Sequence, residues 1–236
     1  LYTLTNVPLS SGVNNFSIRA TDVAGNQATT AISITRDSNT PTPTALLDSA
    51  SDSGVQGDRI TNLPGVTIQG TAEPGALVEI VGTALSATAD GSGNYSITSV
   101  PVNVGSNLFT LRATDAAGNQ ATADITITRD SDTPIPTAGL PAPSDTGTLG
   151  DLITSFASVS IEGTAEPGAR VELVGTGLFT TANGSGLYNI VNVPLSVGSN
   201  LFTLRATDIA GNIVDLFFNV VRDSQAPAIN FNLQHH

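Results

Sequence analysis

Apolar and polar residues alternate with a period of two through much of this chain. Val66-Thr67-Ile68-Gln69-Gly70 does so, as does Leu77-Val78-Glu79-Ile80-Val81, with Glu79 on the solvent side. Tyr95-Ser96-Ile97-Thr98, Phe109-Thr110-Leu111-Arg112-Ala113 and Asp124-Ile125-Thr126-Ile127-Thr128 continue the pattern. Successive side chains of a strand point to opposite faces, so each stretch predicts a strand with one buried face. Glu73-Pro74-Gly75, Asp90-Gly91-Ser92-Gly93-Asn94 and Ala117-Gly118-Asn119 separate them as turns. A further strand is expected near Thr44–Leu47.

The pattern repeats. Asp22-Val23-Ala24-Gly25-Asn26 returns as Asp115-Ala116-Ala117-Gly118-Asn119 and as Asp208-Ile209-Ala210-Gly211-Asn212, each time 93 residues on. The same step joins Arg36-Asp37-Ser38 to Arg129-Asp130-Ser131 and Arg222-Asp223-Ser224, and Gly70-Thr71-Ala72-Glu73-Pro74-Gly75 to Gly163-Thr164-Ala165-Glu166-Pro167-Gly168. No gap is needed, and a fixed period of this kind marks a repeat architecture. Boundaries fall in the Pro-rich joints at Thr40-Pro41-Thr42-Pro43 and Thr133-Pro134-Ile135-Pro136. The expected organisation is the back half of a repeat over 1–40, contributing its last three strands, then whole repeats over 41–133 and 134–226. Residues 227–236 would hold the start of another repeat and a tag-like His235-His236.

About seven strands in each 93-residue period is the size and rhythm of an immunoglobulin-like β-sandwich. The expected fold class is therefore all-β, with tandem sandwiches joined end to end as a rod. Abundant Thr, Ser, Gly, Asn and Val suit strands and turns and disfavour helices.

Composition narrows the function. The chain has no Cys, which excludes disulfides, thiol catalysis and Cys-ligated zinc. Its eight basic residues are all Arg against 20 acids, for a net charge of −12. That balance opposes binding to a phosphate backbone, so no nucleic-acid partner is expected. No apolar run reaches the roughly 18 residues that a membrane helix needs, so no membrane insertion is expected in this segment. His235 and His236 are the only imidazoles, which leaves Ser nucleophiles without a base inside any repeat. Paired acids such as Glu73 and Asp115 recur in each period at turns, which favours structure over catalysis; the chain reads as non-enzymatic. Without Lys there is no Lys–Asn isopeptide cross-link, and without Trp a sugar-stacking platform is not expected. Arg19, Arg112 and Arg205 also recur and read as solvated strand-face charges, with acids such as Glu79 as partners.

The acids gather at turns and joints. On a sandwich whose strands run in order, Asp52 and Asp58 of the loop after the first strand, Asp130 and Asp132 of the joint, Glu166 and Asp208 can all approach one interdomain junction. The preceding junction gathers Asp37, Glu73 and Asp115. Crowded carboxylates either stay apart in solvent or share a cation. Ca2+ takes 6–8 oxygen ligands in flexible geometry and would stiffen such a joint. The same Asp and Asn side chains also serve as ordinary turn formers that bond local backbone amides, and both roles can hold at different positions.

Together, Gly70-Thr71-Ala72-Glu73-Pro74-Gly75, Ala113-Thr114-Asp115-Ala116-Ala117-Gly118-Asn119 and Ser51-Asp52-Ser53-Gly54 with Gly57-Asp58 and Ile60-Thr61-Asn62 resemble the bacterial Ig-like repeats of giant biofilm-type and RTX-type surface adhesins. The resemblance implies a bacterial cell-surface, extracellular address and repeats that extend an adhesive domain, supporting adhesion and biofilm formation. It also implies Ca2+ at the joints, carried here by Asp115 and Asp208 and the flanking acids. The first joint departs from the second in having Asn39 in place of Asp132. The partners expected are neighbouring repeats of the same chain, with self-association through the truncated first repeat. Two further functions fit: a subunit of a polymeric extracellular filament, or a glycan- or protein-binding Ig-like module.

Overall fold

The computed structural model describes residues 2–229, which hold strands and no helix. β1 (Gly12–Thr21) and β2 (Gln27–Arg36) form a hairpin. The middle repeat contributes β3 (Leu46–Leu47), β4 (Ile60–Thr61), β5 (Gly65–Thr71), β6 (Leu77–Ile80), β7 (Ser86–Thr88), β8 (Asn94–Pro101), β9 (Gly105–Thr114) and β10 (Gln120–Arg129). The third contributes β11 (Ile153–Thr154), β12 (Ser158–Thr164), β13 (Arg170–Leu173), β14 (Leu178–Thr181), β15 (Leu187–Pro194), β16 (Gly198–Thr207) and β17 (Ile213–Arg222). Residues 230–236, including the tag-like histidines, lie outside the described residues.

Each repeat is built from two sheets. The middle repeat pairs β3-β5-β8 in one and β4-β10-β9-β6-β7 in the other. The third has β12-β15 and β11-β17-β16-β13-β14, with a single bridge from Gly139 to Glu162 where β3 has its counterpart. The all-β immunoglobulin-like class follows directly from the period-two pattern. By contact density the chain forms two compact units: one from the start to Ser51 with Pro64–Ile127, the other Asp52–Leu63 with everything from Thr128 onward.

The opening strand differs from the single strand expected. It is split: β3 pairs antiparallel with β5, whereas β4 pairs in parallel with the end of β10. Asp52 and Asp58 therefore lie in the crossover between the two halves of this strand. The third repeat repeats the parallel pairing, β11 beside β17. Amide hydrogens of Thr128 and Asp130 donate to the Arg59 and Thr61 carbonyls (3.0 and 2.9 Å), and those of Val221 and Asp223 to Leu152 and Thr154 (2.9 Å each).

The inward residues of the alternating stretches make the cores. In the first unit Ile68, Ile80, Leu111, Ile125 and Ile127 are fully buried; in the second, Ile161, Leu173 and Leu204 are. Burying a side chain of this size is worth about 1.5–3 kcal/mol. Tyr95 is buried beside its core, and its hydroxyl donates to the Thr44 carbonyl; Tyr188 does the same to Thr137. Burial pushes the Tyr95 phenol up to about 12 and Tyr188 higher still.

The first 40 residues supply two strands, where three are expected. Residues 2–8 stand at the positions of β8, which in the middle repeat pairs with β5. On the hairpin Ile18, Ile32 and Ile34 are exposed, whereas their counterparts Leu111, Ile125 and Ile127 are fully buried.

Candidate metal centres

The Asp-x-Ala-Gly-Asn turn is built by its first residue. Asp115 Oδ1 accepts the amide hydrogens of Ala117 and Asn119 (2.8 Å each), and Oδ2 accepts the Asn119 side-chain amide (2.7 Å). Gly118 closes the turn at φ +90°, a conformation that residues with a Cβ rarely adopt. Asp22 makes the same bonds in an exposed turn, so this motif forms without burial of its aspartate. What distinguishes the later two copies is that the turn aspartate is buried and meets the joint. The Thr40 hydroxyl donates to Asp115 Oδ2 (2.6 Å), and the Thr133 hydroxyl to Asp208 Oδ2 (2.7 Å). The Thr40 hydroxyl, then Asn119, holds the Asp115 carboxyl down at about 2.

Around each buried aspartate two further acids converge. Asp37, Glu73 and Asp115 form one cluster, within the first unit; Asp130, Glu166 and Asp208 form the other, within the second. In each, one carboxylate oxygen per residue lies within 4.8 Å of the others. The first acid comes from the segment leaving a last strand, the second from the Glu-Pro-Gly turn, the third from the Asp-x-Ala-Gly-Asn turn. In the second cluster the Asn212 side chain ties two of these pieces together, donating to Asp208 Oδ2 (2.7 Å) and to the Asp130 carbonyl (3.1 Å).

The electrostatics of the second cluster are unfavourable as it stands. Burial, and then the charges of Asp130, Asp208 and Asp132, push the Glu166 carboxyl up. Glu166 Oε2 is buried and accepts no hydrogen bond. A cation is the group that relieves both conditions. The donors are all oxygen, and Ca2+–oxygen distances of about 2.3–2.6 Å put two ligands on one ion at separations of this order. The residues thus fit a hard divalent ion, with backbone carbonyls or water filling its remaining positions. At the first cluster Asn39 stands in place of Asp132, so the fourth negative charge is lacking.

The structure brings together six of the nine acids singled out by the sequence. Asp52, Asp58 and Asp132 belong to neither three-acid group. Asp52 is buried in the crossover, with Oδ2 accepting the Gly57 amide (2.6 Å); Asp58 caps the Ile60 amide (2.8 Å). Asp132 acts on Glu166 by charge alone. The crossover itself docks on the 208–212 turn inside the second unit: Val55 N–H donates to the Ile209 carbonyl (3.0 Å) and the Ser53 hydroxyl to Ala210 (2.5 Å).

Sequence reasoning passed over Thr40, Thr133 and Asn212 as parts of these sites. The signal was present, since both threonines precede the joint prolines at the 93-residue step. Two of the strand-face arginines meet acids, as expected, by different partners. Arg112 does pair with Glu79, but Arg205 pairs with Asp215 (2.8 Å) across β16 and β17.

Residues 39–131 match the family model described as a bacterial Ig-like domain. No curated protein matches the chain in sequence. Among solved structures it is similar to a Ca2+-stabilized adhesin with which an Antarctic bacterium reaches out and binds ice (19% identity, TM-score 0.40, 89% of this chain and 56% of that one). It is also similar to a tetra-tandem repeat in the extending region of a large adhesion protein (22% identity, TM-score 0.35, 92% and 58%). A third likeness is to fibronectin(III)-like modules of Clostridium thermocellum (15% identity, TM-score 0.41, 82% and 100%). The chain thus spans less than two thirds of the length of the first two.

Proposed function

We propose that this chain, in which residues 39–131 are a bacterial Ig-like domain and the whole pattern recurs every 93 residues, is a structural extender of a large bacterial surface adhesin, set by Ca2+ at its acidic clusters. The observation that carries the reading is duplication. The same three-acid arrangement is built twice, from equivalent positions, where the chain enters each repeat. A catalytic site is not ordinarily copied along a chain, whereas a structural fastening is. An ion shared by Asp130, Glu166 and Asp208 ties the incoming segment to two turns of the repeat it leads into. That segment would otherwise be a Pro-rich stretch held by the Thr133 and Asn212 bonds. In this reading the extracellular address supplies the ion, and millimolar Ca2+ outside the cell is enough for a site of modest affinity.

Calorimetric titration of the full chain with CaCl2, paired with melting curves in Ca2+ and in chelator, tests the reading. Two sites per chain are expected, the second cluster binding more tightly because of Asp132. Binding at about 100 Kd would add about 2.7 kcal/mol to the stability of the bound unit. Asp208→Asn removes one site and Asp115→Asn the other. No heat of binding together with melting curves unmoved by chelator would sink the calcium component.

A further inference from the structure

We propose that the outer face of the β11-β17-β16-β13-β14 sheet is a self-association surface, whose partner is the same face of a second copy of this chain. This inference is independent of the calcium reading.

The third repeat departs from the middle one in a localised way. At 93-residue spacing, Phe179, Ile213 and Phe217 stand where the middle repeat has Ser86, Gln120 and Asp124. All three project from the outer face, at 60%, 60% and 75% exposure. Leu201 on β16 is 82% exposed and lies diagonal to Phe217, which sits opposite Thr203. In the middle repeat the Thr110 hydroxyl, the counterpart of Thr203, donates to Asp124 (2.7 Å). Phe217 replaces that bond with bare ring surface. Together the four side chains expose on the order of 500 Å2 of apolar surface, with Phe179 on one side of the sheet and Leu201, Ile213 and Phe217 on the other.

Charge selects the partner. One row across the sheet runs Phe179, Glu172, Arg205, Asp215. Arg170, one row further on, pairs with Glu172. The face thus carries two positive and two negative charges, in a chain with 8 basic residues against 20 acidic. A neutral, sign-alternating surface is where two such acidic chains can approach without repulsion. A face with apolar flanks and both charges at its centre is complementary to itself about a two-fold axis. A sugar finds only one open ring to stack on, Phe217, because the Arg170 guanidinium lies 4.4 Å over the Phe179 ring. The area falls below the roughly 800 Å2 per partner of a standard interface, which sets the expectation of a weak, concentration-dependent dimer.

The test is sedimentation equilibrium of the full chain from about 10 μM to about 1 mM. The comparison is with the triple variant Phe179→Ser, Ile213→Gln, Phe217→Asp, which installs the residues that the middle repeat tolerates at these positions. Phe217→Asp alone serves if the triple variant does not fold. The expected result is a mass rising toward that of a dimer in the native chain, and a dissociation constant weakened at least tenfold in the variant. A native chain that stays monomeric throughout overturns the proposal. So does a variant that associates as well as the native chain, which would point to the exposed hairpin face. Glycan binding abolished by the variant, with self-association unchanged, overturns it in favour of a sugar.

Discussion

Gly54 and Gly147 are equivalent by sequence and unequal by environment, which makes them a matched pair for a stability experiment. Both have positive φ, +69° and +84°. A Cβ added at Gly54 would lie 2.2 Å from the Ile209 carbonyl oxygen, 2.6 Å from Gly211 N and 2.7 Å from the Ala210 carbonyl carbon. All three are backbone atoms, so no side chain can turn aside. Among the described residues a Cβ at Gly147 meets nothing within 4 Å. Gly147→Ala should therefore cost only the left-handed penalty, about 1–2 kcal/mol. Gly54→Ala incurs the same penalty and also expels the crossover from the 208–212 turn. That breaks the Val55–Ile209 and Ser53–Ala210 bonds, at about 1 kcal/mol each. The total is about 3–4 kcal/mol, and the excess over Gly147→Ala is about 2 kcal/mol. Native-state hydrogen exchange reads this locally: protection of the Val55 amide should fall about thirtyfold in Gly54→Ala and stay unchanged in Gly147→Ala. Equal effects of the two substitutions, or an unaltered Val55 amide in Gly54→Ala, would refute the docking role of the crossover.

Acid should act on the turns in a defined order. The folded Asp115 carboxyl sits at about 2 against an ordinary 3.8, so its contribution is complete above 3.8 and is lost as pH falls from there through about 2. Thr40→Val removes the leading cause, and a carbon-detected titration should show the Asp115 midpoint move upward. Glu166 has the opposite sign: its raised carboxyl penalises the folded state above its ordinary range, and the penalty is relieved as pH falls through the folded midpoint. Saturating Ca2+ should pull that midpoint down, and a midpoint indifferent to Ca2+ would count against Glu166 as a ligand. Tyr95→Phe leaves the Thr44 carbonyl without its donor and should destabilise the first unit by about 1–2 kcal/mol in chemical denaturation.

The repeat and its strands were legible because they rest on local rules. Alternation puts Ile125 and Ile127 inward, and the Gly-rich turns end each run. The split of the opening strand was not legible. β3 and β4 have two residues each and pair with different sheets, so neither leaves an alternating run long enough to read. The two acid clusters were legible for a topological reason: a linker and two turns at one end of a sandwich must converge. That reasoning places loops and does not place side chains within them. Asp52 lies in a loop at that end, yet its carboxylate turns inward to the Gly57 amide. The particular acid beside Arg205 is not legible in the repeat, because Thr122 becomes Asp215 in the last strand and only pairing register shows that this position faces the arginine.

The parallel pairing of first and last strands has a mechanical consequence. In each repeat the short opening strand runs beside the closing one in the same direction, β4 with β10 and β11 with β17. Tension applied to the two ends of a repeat pulls these neighbours past each other along their length. Their hydrogen bonds are then loaded together in shear and must fail at once, whereas a pair pulled apart from one end would unzip bond by bond. The crossover that divides the opening strand is thus what turns a few backbone bonds into a force-bearing latch.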